Sequence, residues 1–305
     1  MKKSIIVSSL IYLLSIAFII FIIPLLSEKI AKSSLTQSST IYEIYHELDT
    51  KSSQQTQQEE PTEYLEEGEE KQPEPTKRLK TSKPFVSIVI DDYGYFVNDT
   101  VTLSLTSEIP ITVAIIPFQE YSKDIFSLAK KYNKEVIVHM PMETIKKKLN
   151  IKPYISTKMS DNEIIKLLDE AFNEIDGIGL NNHMGSLATA DERVMTTVLR
   201  YLSSRGKIFL DSLTTINSVT PRVAKQYGIH ILVRDVFIDN NSSEYYILSQ
   251  LERVKEVATQ KGYCIAIGHI RPNTISTLLK WYEENKENFN FVSLSYIKNV
   301  ISQIQ

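Results

Sequence analysis

The sequence predicts an α/β fold: a distorted or incomplete (β/α) barrel of about seven to eight mostly parallel strands, preceded by a transmembrane anchor and a disordered linker. Three observations carry that expectation. Short β-branched runs alternate with amphipathic helical patterns from Pro84 onward. Polar residues with metal-binding and proton-transfer chemistry collect where those runs stop. Everything before residue 84 has a composition that belongs to a different kind of segment.

The N-terminus is the first of these segments. After Met1-Lys2-Lys3, the 24 residues Ser4 to Ser27 carry no charge and are mostly Ile, Leu, Val and Phe. As a helix that run would span about 36 Å, enough for a hydrocarbon core of about 30 Å. Residues 1–30 therefore read as a cytoplasmic stub and an uncleaved signal anchor, with Lys2 and Lys3 on the cytoplasmic side. That topology places a single-pass protein in the cell membrane with its domain on the extracytoplasmic side. Secretion after signal-peptide cleavage is the alternative, though "PLLSEKIAKSS" offers a poor cleavage site.

Residues 31–83 read as a disordered low-complexity linker. They are rich in Ser, Gln, Glu and Pro, with eight glutamates and one lysine between Glu59 and Glu74. Such a stretch buries too little apolar surface to offset chain entropy. His46 lies here with no other histidine near it, and reads as inert.

Residues 84–305 read as one folded domain. Its runs are "FVSIVI" (85–90), "ITVAII" (111–116), "EVIVHM" (135–140), "GIGL" (177–180), "KIFL" (207–210), "HILV" (230–233), "YCIAIG" (263–268) and "FNFVSL" (289–294). Between them, "SDNEIIKLLDEAFNEI" opens with a Ser160/Glu163 capping box and sets Ile164, Leu167, Leu168, Ala171 and Phe172 on one face. "DERVMTTVLRYLSSRG" and "SEYYILSQLERVKEVATQKG" each end in glycine just past the last helical turn. An open doubly wound sheet is the alternative arrangement, but no glycine-rich phosphate loop follows any strand.

Composition excludes several function classes. Lys plus Arg is 34 against 37 for Asp plus Glu, a net charge of −3, so no nucleic-acid partner is expected. The single cysteine, Cys264, rules out an internal disulfide or a cysteine-rich zinc site, and its apolar surroundings suggest a buried core thiol.

In parallel α/β folds the working groups gather at the carboxyl ends of the strands. The first run ends in Asp91-Asp92, the third in His139, the fourth in Asn181-Asn182-His183, the fifth in Asp211. The sixth ends in Arg234-Asp235 with Asp239 beyond, and the seventh in His269, while His230 starts a run and reads as structural. Any one of these has a simpler explanation, such as a helix cap or a hydrogen-bonded core histidine. Together they converge imidazoles and carboxylates on one rim. Such a set, without thiolates and with positions left for water, is of the catalytic zinc type, and it leaves Asp91 and His269 as an acid/base pair.

The blocks "IVIDDYGY", "VAIIPF", "VIVHMPME", "NNHMGS", "FLDSLTT", "RDVFIDN" and "AIGHIRPNT" resemble, in that order, the divergent polysaccharide deacetylase family. This is a remote branch of the metal-dependent carbohydrate deacetylases (carbohydrate esterases), and the resemblance spans 84 to 305. It implies that Asp91 is the catalytic base, Asp92 a metal ligand and His269 the catalytic acid. His139 and His183 are assigned as ligands by position, because the superfamily's His-x-x-x-His helix is absent; "NNHMGS" also replaces its Arg-x-Pro-Tyr segment. Asn181, Asn182, Asp211, Arg234, Asp235 and Asp239 are expected behind these groups or against the sugar. The implied cofactor is a divalent metal, zinc first. The implied function is hydrolysis of N- or O-acetyl groups on a cell-envelope saccharide such as a peptidoglycan-like glycan. A membrane-tethered, catalytically silent glycan- or partner-binding module is the alternative on the same barrel.

Overall fold

The computed structural model describes residues 83–145 and 149–302. The expected anchor, the linker up to residue 82 and His46 lie outside the described residues. No helix among the described residues is long and apolar enough to cross a membrane.

The strands are β1 (Phe85–Tyr93), β2 (Thr112–Ile115), β3 (Glu135–Met142), β4 (Gly179–Met184), β5 (Ile208–Asp211), β6 (Leu232–Val233), β7 (Val236–Phe237), β8 (Tyr263–His269) and β9 (Asn290–Phe291). The helices are α1 (Asp99–Thr106), α2 (Ser122–Lys131), α3 (Asp161–Glu174), α4 (Glu192–Ser204), α5 (Thr220–Gln226), α6 (Glu244–Lys261), α7 (Pro272–Asn285) and α8 (Leu294–Ser302). The capping box of α3 forms as its sequence predicts: Ser160 Oγ accepts from the Glu163 amide, and the Glu163 carboxylate accepts from the Ser160 amide at 2.7 Å. Its buried face is Ile164, Leu167, Leu168, Ala171 and Phe172.

Every strand pairing is parallel, in the order β6-β5-β4-β3-β2-β1-β8-β7, with β9 beside the first residues of β1. The ends of that order, β6 and β7, are separated in sequence by Arg234 and Asp235 alone. Arg234 N–H donates to Asp211 O at 3.0 Å on one side, and Asp235 N–H donates to Ile265 O at 2.8 Å on the other. At about 3.3 Å per extended residue, the gap is one chain wide. The sheet has therefore curled into an incomplete barrel, which rules out the open doubly wound alternative.

Two of the predicted runs shrink to two-residue strands. "HILV" yields only Leu232–Val233, and His230 is exposed in the loop before it. "FNFVSL" yields only Asn290–Phe291, because Ser293 and Leu294 start α8: Ser293 Oγ accepts from Tyr296 N–H at 3.3 Å, and Thr112 Oγ1 from Leu294 N–H at 3.3 Å.

The strands' period of two sorts their side chains into two cores. Val86, Ile88 and Ile90 of β1, Val136 and Val138 of β3, and Cys264 and Ala266 of β8 face the surrounding helices. Val89, Ala114, Ile137, Leu210, Leu232, Ile265 and Ile267 fill the lumen, and Leu294 and Ile297 of α8 seal it from the amino-terminal end. Each Val, Leu or Ile among them contributes roughly 1.5–3 kcal/mol by burial. Two residues further along β1, β3 and β8, the lumen-facing positions are Asp91, His139 and His269. The polar site rests directly on an apolar floor.

One close approach tightens the curl. A Cβ on Gly179 would lie 2.2 Å from Ile208 O and 2.8 Å from Ile208 Cβ, so β4 and β5 pack at this distance only with glycine.

Candidate metal and acid-base site

In a regular strand Asp91 and Asp92 would point to opposite faces. Asp91 follows Val89 into the lumen and is 2% exposed. Asp92 adopts a left-handed backbone, φ 68°, and the β1–β2 register shifts between Ile90 and Tyr93. That bulge turns the second carboxylate back toward the same rim, at a cost of order 1–3 kcal/mol for a non-glycine residue. Phe118, Met184 and Leu213 are also left-handed: Phe118 and Leu213 follow β2 and β5, and Met184 ends β4, at the same end of the barrel. Backbone strain concentrates on this rim.

His139 Nε2 lies 3.2 Å from Asp92 Oδ1 and 3.6 Å from Asp91 Oδ2. His183 Nδ1 lies 3.1 Å from Asp92 Oδ1 and 3.1 Å from His139 Nε2. Asp92, His139 and His183 thus offer one ligand atom each, all within 4.8 Å of one another. The donor set is two imidazole nitrogens and one carboxylate oxygen, which suits a divalent cation of the zinc type. Burial opposes a charge on Asp92, but hydrogen bonds from His139 and His183 outweigh it and hold its carboxyl well below the usual range. Burial also opposes a charge on His139, yet Asp91 and Asp92 raise its pKa above the ordinary value.

Asp91 behaves differently from its neighbour. Burial pushes its pKa up, against the opposing pull of His139 and His269. Its Oδ1 accepts from Asn181 Nδ2 at 2.9 Å. Across the β1–β8 pairing its register partner is His269. The His269 ring donates from Nδ1 to Asp239 Oδ1 at 2.8 Å, and its backbone N–H donates to Asp239 Oδ2 at 2.8 Å. Thr274 Oγ1 adds a third hydrogen bond to the fully buried Asp239, at 2.7 Å. Burial alone would lower the His269 pKa; the Asp239 carboxylate raises it to about 9. Phe237 stacks on the His269 ring at 6.0 Å, and the Arg234 guanidinium lies 3.9 Å from the Phe237 centroid.

The remaining expected residues divide by strand parity. Asn181 faces the lumen and touches both Asp91 and His139. Asn182 faces the other way: its Oδ1 accepts from Ser212 N–H at 2.9 Å, and its Nδ2 donates to Met184 O at 2.7 Å, pinning the turns after β4 and β5. Asp211 follows the lumen residue Leu210 and so points outward. It accepts from Leu213 N–H and Ser218 Oγ, and it orients neither a histidine nor Asp91. Asp235 lies at the closing link, bound to Lys261 Nζ at 2.7 Å and Ile265 N–H at 2.9 Å, four residues short of His269. Arg234 donates to Ser212 O and Leu213 O; burial lowers its pKa to about 10, and the charge of Asp91 is among those opposing that shift. The expected set leaves out Phe237, Thr274 and Ser212. None stands out by residue type, and only the folded register places them beside His269, Asp239 and Asn181.

An incomplete parallel (β/α) barrel carrying a carboxylate–imidazole cluster on its carboxyl rim is the class this fold and site define. The chain matches the divergent polysaccharide deacetylase family over residues 88–297 and belongs to that family. An uncharacterized protein of Haemophilus influenzae is 34% identical over 211 residues, covering 68% of this chain and 75% of its own length. YibQ of Escherichia coli is 32% identical over 216 residues, covering 70% of this chain and 67% of its own. The crystal structure of an uncharacterized Agrobacterium tumefaciens protein superposes with a TM-score of 0.66 at 19% identity, over 73% of this chain and 92% of that one, a likeness of fold.

Proposed function

We propose that this protein is a metal-dependent hydrolase that removes N- or O-acetyl groups from an extracytoplasmic, cell-envelope saccharide. The observation that carries the reading is the division of labour on one rim. Asp92, His139 and His183 converge three donors within 4.8 Å, beside a buried carboxylate, Asp91, and an imidazole, His269, already oriented by Asp239. A binding module has no use for the second pair.

In this reading Asp92, His139 and His183 hold the cation, zinc by preference. What such a cation supplies is Lewis-acid polarisation of the acyl carbonyl and acidification of water. Asp91 is the general base: burial raises its proton affinity, and Oδ2 remains toward the cluster while Oδ1 is held by Asn181. A water oxygen bonds to the acyl carbon as its proton passes to Asp91. His269, protonated at neutral pH because of Asp239, then donates its proton to the departing amine nitrogen or alkoxide oxygen as that bond breaks. Family membership supports the acetylated saccharide as substrate. The uncharged Ser4–Ser27 run supports a membrane-anchored, extracytoplasmic placement.

The test is hydrolysis of acetylated glycans and of activated acetyl esters by the full-length, zinc-loaded protein. Turnover that chelation abolishes and zinc restores is expected. A fully loaded protein that hydrolyses neither substrate would turn the reading to the tethered glycan-binding module.

A further inference from the structure

Asn181 is fully buried in β4, and both ends of its amide are committed. Nδ2 donates to Asp91 Oδ1 at 2.9 Å and to Ser212 Oγ at 3.3 Å, while Oδ1 meets His139 Nδ1 at 2.8 Å. A buried amide that meets a carboxylate on its nitrogen side has one orientation. The Asp91 carboxylate accepts, so the NH2 group must face Asp91 and the carbonyl oxygen must face His139. His139 Nδ1 then has to be the protonated ring nitrogen. The nitrogen left to give a lone pair to a bound cation is then Nε2, the atom that faces Asp92 Oδ1 and His183 Nδ1.

We propose that Asn181 is the positioning residue that joins the two halves of the site, fixing the His139 tautomer for metal ligation with its oxygen and the Asp91 carboxylate for proton transfer with its nitrogen. The proposal rests on the metal-dependent hydrolase reading. Register makes the bridge possible: His139 and Asn181 are direct partners in the β3–β4 pairing, and β1 carries Asp91 to the same rim level. In metal sites a ligating imidazole usually donates its other N–H to a carboxylate, a carbonyl or water. Here a neutral amide takes that place. A carboxylate at this position could receive the His139 proton, but it could not donate to Asp91.

That difference gives the test, on full-length protein carrying Asn181→Asp or Asn181→Ala. Asn181→Asp keeps an acceptor for His139 and removes the donor to Asp91. Its zinc affinity should stay within a few-fold of wild type, while kcat on an activated acetyl ester falls about 10²-fold, the scale of impaired general-base catalysis. Asn181→Ala removes both contacts, and zinc affinity itself should fall about 10- to 100-fold. A residue that merely supports the fold would not separate the two parameters. In parallel, 15N NMR of the wild-type imidazoles should show His139 Nδ1 protonated and Nε2 bare in the zinc-loaded protein, a readout independent of turnover and of any variant's folding. Equal zinc affinity in the two variants, or a bare Nδ1 in wild type, would overturn the proposal. Absence of esterase activity in wild type would refute the hydrolase reading instead, and the zinc affinities and ring signals would still decide the role of Asn181.

Discussion

His139 Nε2 and His183 Nδ1 lie 3.1 Å apart, and Asp92 Oδ1 is within 3.2 Å of both. Nitrogens on neighbouring strands are held this close only if a cation or a shared proton lies between them, since two facing lone pairs repel. The first prediction follows from that crowding. Replacing Asp92, His139 or His183 with alanine should lower zinc occupancy, measured by elemental analysis, while the far-ultraviolet spectrum stays native. Saturating wild type with zinc at about 100 times its Kd adds about 2.7 kcal/mol. For a domain of this size that raises Tm by roughly 5–10 °C, and each alanine variant should lose most of the gain.

Asp91→Asn preserves size and hydrogen bonding but removes the proton acceptor. Zinc content should be unchanged, and turnover should drop by about 10²-fold or more. If zinc content falls in parallel, Asp91 is a ligand.

The His269–Asp239 pair sets a pH limit. The folded His269 pKa lies near 9, above an ordinary value of about 6.5. The group is charged at neutral pH and loses its proton as pH rises through about 9. Activity on poor leaving groups should fall over that interval, and the pair's contribution to stability, complete below about pH 6.5, should be lost over the same range. Asp239→Asn should move the basic limb of the rate profile to lower pH; an unmoved limb would assign it to another group.

Gly179→Ala tests the fold apart from the chemistry. The new methyl would meet Ile208 O at 2.2 Å, and Ile208 O is backbone that cannot swing away. Destabilisation of about 3 kcal/mol or more is expected by the overpacking mechanism, read as a fall in Tm for the zinc-loaded and zinc-free protein alike. An unchanged Tm would mean that β4 and β5 separate easily.

The uncharged Ser4–Ser27 run predicts that full-length protein sediments with membranes and that protease added outside the cytoplasmic membrane digests the domain. Recovery of soluble protein starting near residue 30 would show cleavage instead.

Much of this site could be read from the chain because parallel α/β folds bring strand carboxyl ends together, so an Asp-Asp pair and three histidines after β-branched runs had to share a rim. Strand parity was harder to read. "GIGL" looks like a strand that stops before Asn181, whereas β4 continues through Met184; that extension turns Asn181 and His183 inward and Asn182 outward. The same parity sends Asp211 to its own turn. Asp92 escapes it through a left-handed backbone that no propensity favours for aspartate within a strand. Arg234 and Asp235 looked like the end of one strand and are the link between two, because two-residue strands carry too little pattern to be seen.

The apolar floor beneath Asp91 and His139 also governs traffic. With Val89, Ala114, Ile137 and Ile267 filling the lumen and α8 set against its far end, no passage runs beneath the site. On the proposed hydrolase reading, a small product split off beside Asp91 would have to leave across the carboxyl rim, since the packed lumen gives it no way through. On that reading the small product, added to the assay, should inhibit competitively at the same rim.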